Sequence, residues 1–151
     1  MSDVPGMDYR ELSRSECEDL LRKHKVGRLA YMLRNHVEIV PIHYVYDEGW
    51  IYIRSALGQK VRALHTAPWV AFEVDEVASM TEWSSVVVRG SAQVLDPDGP
   101  PSKVEALRRA ITVLRSATPD ALRPGDPAPE RTFVLRISAD RITGRTGVSA
   151  S

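Results

Sequence analysis

The chain of 151 residues has a single cysteine, Cys17, which excludes an intramolecular disulfide and every cysteine-rich zinc pattern. It also lacks net charge, because twenty Lys and Arg balance twenty Asp and Glu. The long-range cationic field of a general nucleic-acid binder is therefore missing, and any anion site must be built locally. No apolar run approaches the ~20 residues of a bilayer-crossing helix, and Met1-Ser2-Asp3-Val4-Pro5-Gly6 carries no basic-then-apolar leader pattern. A cytoplasmic setting is expected, with neither nucleic acid nor membrane as a partner. The four histidines, at 24, 36, 43 and 65, form no H-x-x-x-H pair and have no carboxylate at ligand spacing, so no metal site is expected. Neither G-x-G-x-x-G, G-x-x-x-x-G-K-[S/T] nor G-x-S-x-G occurs, which removes sequence support for Rossmann binding, P-loop hydrolysis and the hydrolase elbow.

What is present reads as one globular domain over 1–151, with residues 1–10 and 146–151 expected to be flexible ends. Hydrophobic residues make up 43% and charged residues 26%, a globular balance, and a chain of this size buries roughly 70% of its unfolded surface without staples. Ser13-Arg14-Ser15-Glu16 is a capping-box pattern that predicts a helix start, with Leu12 and Cys17 at staple positions and Leu20 and Leu21 continuing an apolar stripe to about Lys25. Cys17 is read as a packing residue.

After Gly27 the pattern changes to β-branched and aromatic residues. Arg28–Leu33, Val37–Tyr46 and Trp50–Ile53 read as a meander of strands, turned at Asn35-His36 and at Asp47-Glu48-Gly49. The second of these is apolar on both faces, as a strand inside a small barrel would be. Pro41 interrupts it, which requires a bulge, an edge, or a place where something else approaches the backbone. Gly58 to Thr66 suits a short helix stopped by Ala67-Pro68. Trp69–Val74 and Trp83–Leu95 are further strands, the latter bent at Gly90, and Ser102–Ser116 is a second amphipathic helix. Prolines at 119, 124, 127 and 129 mark an irregular connection to a last strand, Thr132–Ile142. The fold class expected is mainly β, with six to seven antiparallel strands and two to three peripheral helices.

The stretch Tyr52-Ile53-Arg54-Ser55-Ala56-Leu57-Gly58-Gln59-Lys60-Val61-Arg62 carries the clearest chemistry. A strand end bears a hydroxyl, a glycine turn follows, and Lys60 falls in the first turn of a helix, so Ser55, free backbone N–H groups and one ammonium can converge on a phosphate. The plain alternative is a solvated Lys60 and Arg62 with Ser55 as a simple cap. Glu73, Asp75 and Glu76 read as a solvated acidic turn.

Val26-Gly27-Arg28-Leu29-Ala30, then Val40 to Gly49, then Ile51 to Lys60, then Trp83-Ser84-Ser85-Val86-Val87-Val88-Arg89-Gly90 resemble, in order and spacing, the pyridoxamine 5′-phosphate oxidase-like superfamily. The nearest branch is the nitroimidazole-resistance-like flavoproteins. The resemblance implies an FMN-binding split β-barrel working as a homodimer, with cofactor at the subunit interface and a small molecule as substrate. Carried over by position, it puts the phosphate grip on Gln59 and Lys60, where glutamine replaces the oxidases' usual arginine and Arg54 or Arg62 would have to compensate. Val40, Pro41, Ile42 and His43 would lie along the flavin ring. Ile53, Arg54 and Ser55 would meet the ribityl-phosphate end, Ser85 and its neighbour Ser84 would sit near the ring, and Trp83 would either wall the pocket or fill the core. His43 is either a flavin or substrate partner or a satisfied barrel histidine, and Arg145 either reaches across a dimer or is a tail residue. Two departures count against inherited activities: Arg54 stands where the resistance proteins often have histidine, and the oxidases' C-terminal substrate arginines have no counterpart. No catalytic residue is assigned. The implied function is FMN-dependent oxidoreduction, with three alternatives: use of the deazaflavin F420, a non-catalytic flavin- or haem-binding module, and a plain barrel without cofactor.

Overall fold

A computed structural model describes residues 7–56 and 58–149. In chain order these form β1 (Met7–Glu11), α1 (Arg14–Lys23), β2 (Val26–Leu33), β3 (His36–His43), β4 (Val45–Asp47), β5 (Trp50–Ser55), α2 (Gln59–Thr66), β6 (Trp69–Ser79), β7 (Glu82–Leu95), α3 (Pro101–Ala117), β8 (Phe133–Ser138) and β9 (Arg141–Ser149). All described pairings are antiparallel, in the order β3-β2-β6-β7-β8-β5-β4, with β9 paired to β7 and β1 to β9. The sheet does not close. Its two end strands, β3 and β4, are consecutive in sequence and separated only by Tyr44, whose backbone N–H bonds to the Lys25 carbonyl at 3.0 Å.

Long β7 joins the two halves. Trp83 to Arg89 pair with β9, and Ala92 to Leu95 pair with β8. Gly90 sits at the change of partner, and a Cβ there would lie 1.6 Å from the Ser138 carbonyl oxygen, so only glycine lets the strands approach this closely. Opposite this crossing the chain breaks at Ala139-Asp140. The expected single strand Thr132–Ile142 is thereby two strands, Val37–Tyr46 is likewise divided at Tyr44, and Met7–Glu11 adds one more, so the described residues hold nine strands rather than six or seven. Met7–Glu11 and Thr146–Ser149 are paired with each other in the register Met7 to Ser149 and Arg10 to Thr146. The rest of the expected flexible ends lies outside the described residues.

The main core holds Leu29, Ile53, Phe72, Val86, Val88, Leu135 and Ile137, closed from one side by Cys17 and Leu21 of α1. Each such side chain, fully buried, is worth about 1.5–3 kcal/mol. Cys17 does pack, at 1% exposure, against a β9 that comes near enough for a Cβ on Gly144 to meet its Sγ at 2.7 Å. A smaller cluster of Tyr52, Leu95, Ala110, Leu114 and Val134 lies under α3. Among the described residues no helix is long and apolar enough to cross a membrane.

Candidate functional site

β5 ends at Ser55, and the turn through Gly58 starts α2. Gly58 is extended, at φ 177°, and the helix has no side-chain cap and no acidic residue in its first turn. Its leading N–H groups are therefore left for solvent or ligand. Lys60, at the second helical position, is half-buried. Burial first, and then the positive charge of Arg131, lower its proton affinity, and no carboxylate pairs with it among the described residues. A half-buried ammonium thus stands at an uncapped helix start, an arrangement that a phosphate would relieve. Ser55, 7% exposed, donates its hydroxyl to the Ala56 carbonyl at 2.9 Å, so it bonds backbone in this state. Gln59 is exposed and lines a separate cavity of about 340 Å³ with Met32, Arg34 and Arg62.

Arg54 is engaged within the chain. Its side chain is 9% exposed and forms a two-pronged ion pair with Asp126, itself 4% exposed. Arg54 Nε also donates to the Arg131 carbonyl at 3.0 Å and Nη2 to the Ala128 carbonyl at 3.1 Å. Asp126 accepts in addition from the backbone N–H groups of Leu122 at 2.8 Å and Ala128 at 3.0 Å. Arg54 above all, then the Ala128 N–H, holds this carboxyl well below the usual carboxylate range. Arg54 is consequently neutralised inside the chain as the anchor of the proline-rich connection. Its charge is matched by the Asp126 carboxylate, and Arg62 lines the cavity of Gln59.

Arg54 and His43 do line one cavity, of about 450 Å³, walled by Tyr44, Val45, Leu114, Ala117, Pro127 and Ala128, with Lys25, Glu130 and Arg131 also on its lining. Sequence reasoning missed Lys25, Asp126 and Arg131.

On β3 the side chains alternate. Ile42 is buried and Val40 half-buried, while Val37, Ile39, Pro41 and His43 are exposed on the other face. The expectation of burial on both faces is thus replaced by a half-covered edge strand. Pro41 pairs with Arg28 of β2 and has no strand on its other side among the described residues, which is why the missing N–H is tolerated. Ile53 is wholly in the core. Trp83, Ser84 and Ser85 sit at the end of β7 away from α2, since α2 leads into Trp69, whose partner is Ser91. Trp83 is 4% exposed, lies 6.0 Å from the Tyr9 ring, and its indole N–H has no acceptor among the described residues. Ser84 Oγ bonds Thr146 Oγ1 at 2.9 Å, and Ser85 stands between Asp75 and Arg145 in register. Arg145 is a strand residue, its guanidinium 5.1 Å from the Tyr9 ring centre. One copy of the chain therefore gathers His43 with Arg54 in one cavity, whose lining holds Arg131 but not Lys60, Gln59 or the Trp83–Ser85 group.

The acidic residues are on a strand, not in a turn. Glu73 and Asp75 flank Arg28 Nη1 at 3.5 and 3.4 Å. Desolvation, then the hydrogen bond with Asp75, pushes the Glu73 carboxyl up to about 7. They share the open face of β3, β2, β6, β7 and β9 with Val37, Ile39 and Trp69, which are 65%, 66% and 70% exposed.

A model of the pyridoxamine 5′-phosphate oxidase family matches residues 13–146. The chain belongs to that family. As a family member it is similar in structure to an FAD-binding protein from Mesorhizobium loti, 30% identical over 91% of this chain and 97% of that one, with a TM-score of 0.70. It shares its fold with a proposed 5-nitroimidazole antibiotic resistance protein from Bacteroides thetaiotaomicron, 20% identical over 94% and 89% of the two chains, with a TM-score of 0.70. A curated relative, an uncharacterized protein of Rhizobium meliloti (strain 1021), is 36% identical over 89 residues. That match spans 59% of the length of either chain. The pyridoxamine 5′-phosphate oxidase fold, a split barrel with an unclosed sheet, is the one expected from the sequence.

Proposed function

We propose that this chain is a flavin-binding oxidoreductase that acts as a homodimer on a small molecule. The observation that carries the reading is half-buried Lys60 at the uncapped start of α2, with no carboxylate paired to it among the described residues, while the Ser55–Phe133 register brings the chain at Arg131 alongside the turn that leads there. The family match and the FAD-binding Mesorhizobium loti relative support a flavin as the source of the phosphate. FMN and FAD share the isoalloxazine, the ribityl chain and the first phosphate, so the same corner serves either. FMN is the group that the sequence resemblance implies, and FAD the one that the relative's description favours.

A bound flavin supplies hydride or electron-pair transfer, and the protein's part is anchoring and orientation. Lys60 would hold the phosphate, and the exposed edge carrying Pro41 and His43 would border the ring. The open sheet face supports a second copy as partner, because Val37, Ile39 and Trp69 form an exposed apolar patch on it. A lone buried cysteine suits a reducing cytoplasm.

The deciding experiment is a visible spectrum of the purified protein followed by mass spectrometry of the released ligand. Release of FMN or FAD supports the reading, whereas F420, haem or no ligand sinks it. Reduction of the bound flavin by NAD(P)H distinguishes an oxidoreductase from a carrier, and sedimentation of the protein tests the dimer.

A further inference from the structure

Resting on that flavin reading, we propose that Arg131 is the second cation of the phosphate grip, delivered to Lys60 by the proline-rich connection that Arg54 and Asp126 hold in place. The candidates nearer in sequence are ruled out by their positions. Gln59 carries no charge and faces another cavity with Arg62, and the Arg54 guanidinium is occupied by Asp126 and two carbonyls. Arg131 differs from all three. Its backbone carbonyl is bonded by Arg54 Nε at 3.0 Å, which fixes where its side chain starts. The register of β5 with β8, Ser55 opposite Phe133, sets Arg131 alongside the turn that leads into Lys60, and its positive charge adds to the burial that lowers the proton affinity of that ammonium. Among the described residues it pairs only with Glu130, at 4.0 Å, and the side chain remains 42% exposed. A guanidinium held at its backbone, loosely paired and set against a second cation is suited to a doubly charged oxyanion, which it can bind through two N–H groups. Arg54 and Asp126 are then positioning residues, acting through the backbone of residues 128 and 131.

The test measures affinities of the apoprotein for FMN and for riboflavin, which lacks the phosphate, in the wild type and in R131Q, R131K, R62Q and K60Q. R131Q should weaken FMN by about tenfold or more, the value of one hydrogen bond to a charged group, and leave riboflavin unchanged. R131K should recover part of the loss, R62Q should match the wild type, and the salt dependence of FMN binding should be shallower in R131Q. Three results overturn the assignment: FMN affinity in R131Q equal to that of the wild type while K60Q loses it, equal losses of FMN and riboflavin in R131Q, or a loss in R62Q that matches the one in R131Q. In those cases the flavin reading stands without Arg131. A wild-type protein that binds neither flavin brings down both.

Discussion

The two helix starts, α1 and α2, are built on opposite principles. α1 supplies its own first turn with everything it needs. Ser13 Oγ accepts the Glu16 N–H at 3.1 Å, Glu16 Oε1 accepts the Ser13 N–H at 3.0 Å, and Arg10 adds an ion pair to the same carboxylate at 2.8 Å. α2 begins at a glycine without a cap, has no acid in its first turn, and places Lys60 there, where the helix dipole favours an anion. The first start is complete as folded. The second leaves half-buried Lys60 without a paired carboxylate among the described residues, which fits the phosphate site proposed above.

That contrast is most strongly tested at Lys60. K60A should weaken FMN by about tenfold to a hundredfold, as loss of a charge-assisted bond does, while the apoprotein melts no earlier than the wild type. The stability term has a defined sign. The folded proton affinity of Lys60 is lowered below its ordinary 10.5, so the penalty is fully present at neutral pH and is relieved as pH rises toward 10.5. K60M should remove that rise in an alkaline melting series, and an unchanged rise would show that Lys60 is not strained.

S13A should have the reverse profile, costing about 1 kcal/mol in denaturant unfolding and leaving flavin affinity as it was. Acid titration probes the same corner. The bond from Arg10 first, and the Ser13 N–H second, bring Glu16 down to about 2, so its contribution is present above its ordinary 4.5 and is lost as pH falls through about 2. E16Q should flatten that acid limb. The smallest effect is expected from converting the second start into the first. Gly58 has nothing within 4 Å of a Cβ and an extended φ, so G58D can cap α2 and pair with Lys60. A gain of a few tenths of a kcal/mol in the apoprotein, with weaker FMN binding, is the outcome; tighter binding would show that the α2 start is not the anion site.

What the sequence made legible was local. The Ser13–Glu16 box needs only four consecutive residues, and the strand and helix periods of Trp69–Val74 and Ser102–Ser116 are visible within their own windows. Lys60 at the beginning of a helix after a glycine is equally local. Non-local pairings were out of reach. Met7–Glu11 is a strand because β9 lies beside it, and Thr132–Ile142 breaks because β7 changes partner at Gly90. Arg54 looked like an available cation because Asp126, 72 residues later, gives no sign in the chain that it will meet it. Arg131 was passed over for the same reason, since a proline-rich run has no periodicity from which its path could be read.

The crossing at Gly90 has a mechanical consequence. Because β7 is hydrogen-bonded to β6 and β9 along its first part and to β8 along its last, neither half can peel away without baring an edge of the other. Its central amides should therefore be among the slowest to exchange with deuterium, and heat should melt both halves in one transition.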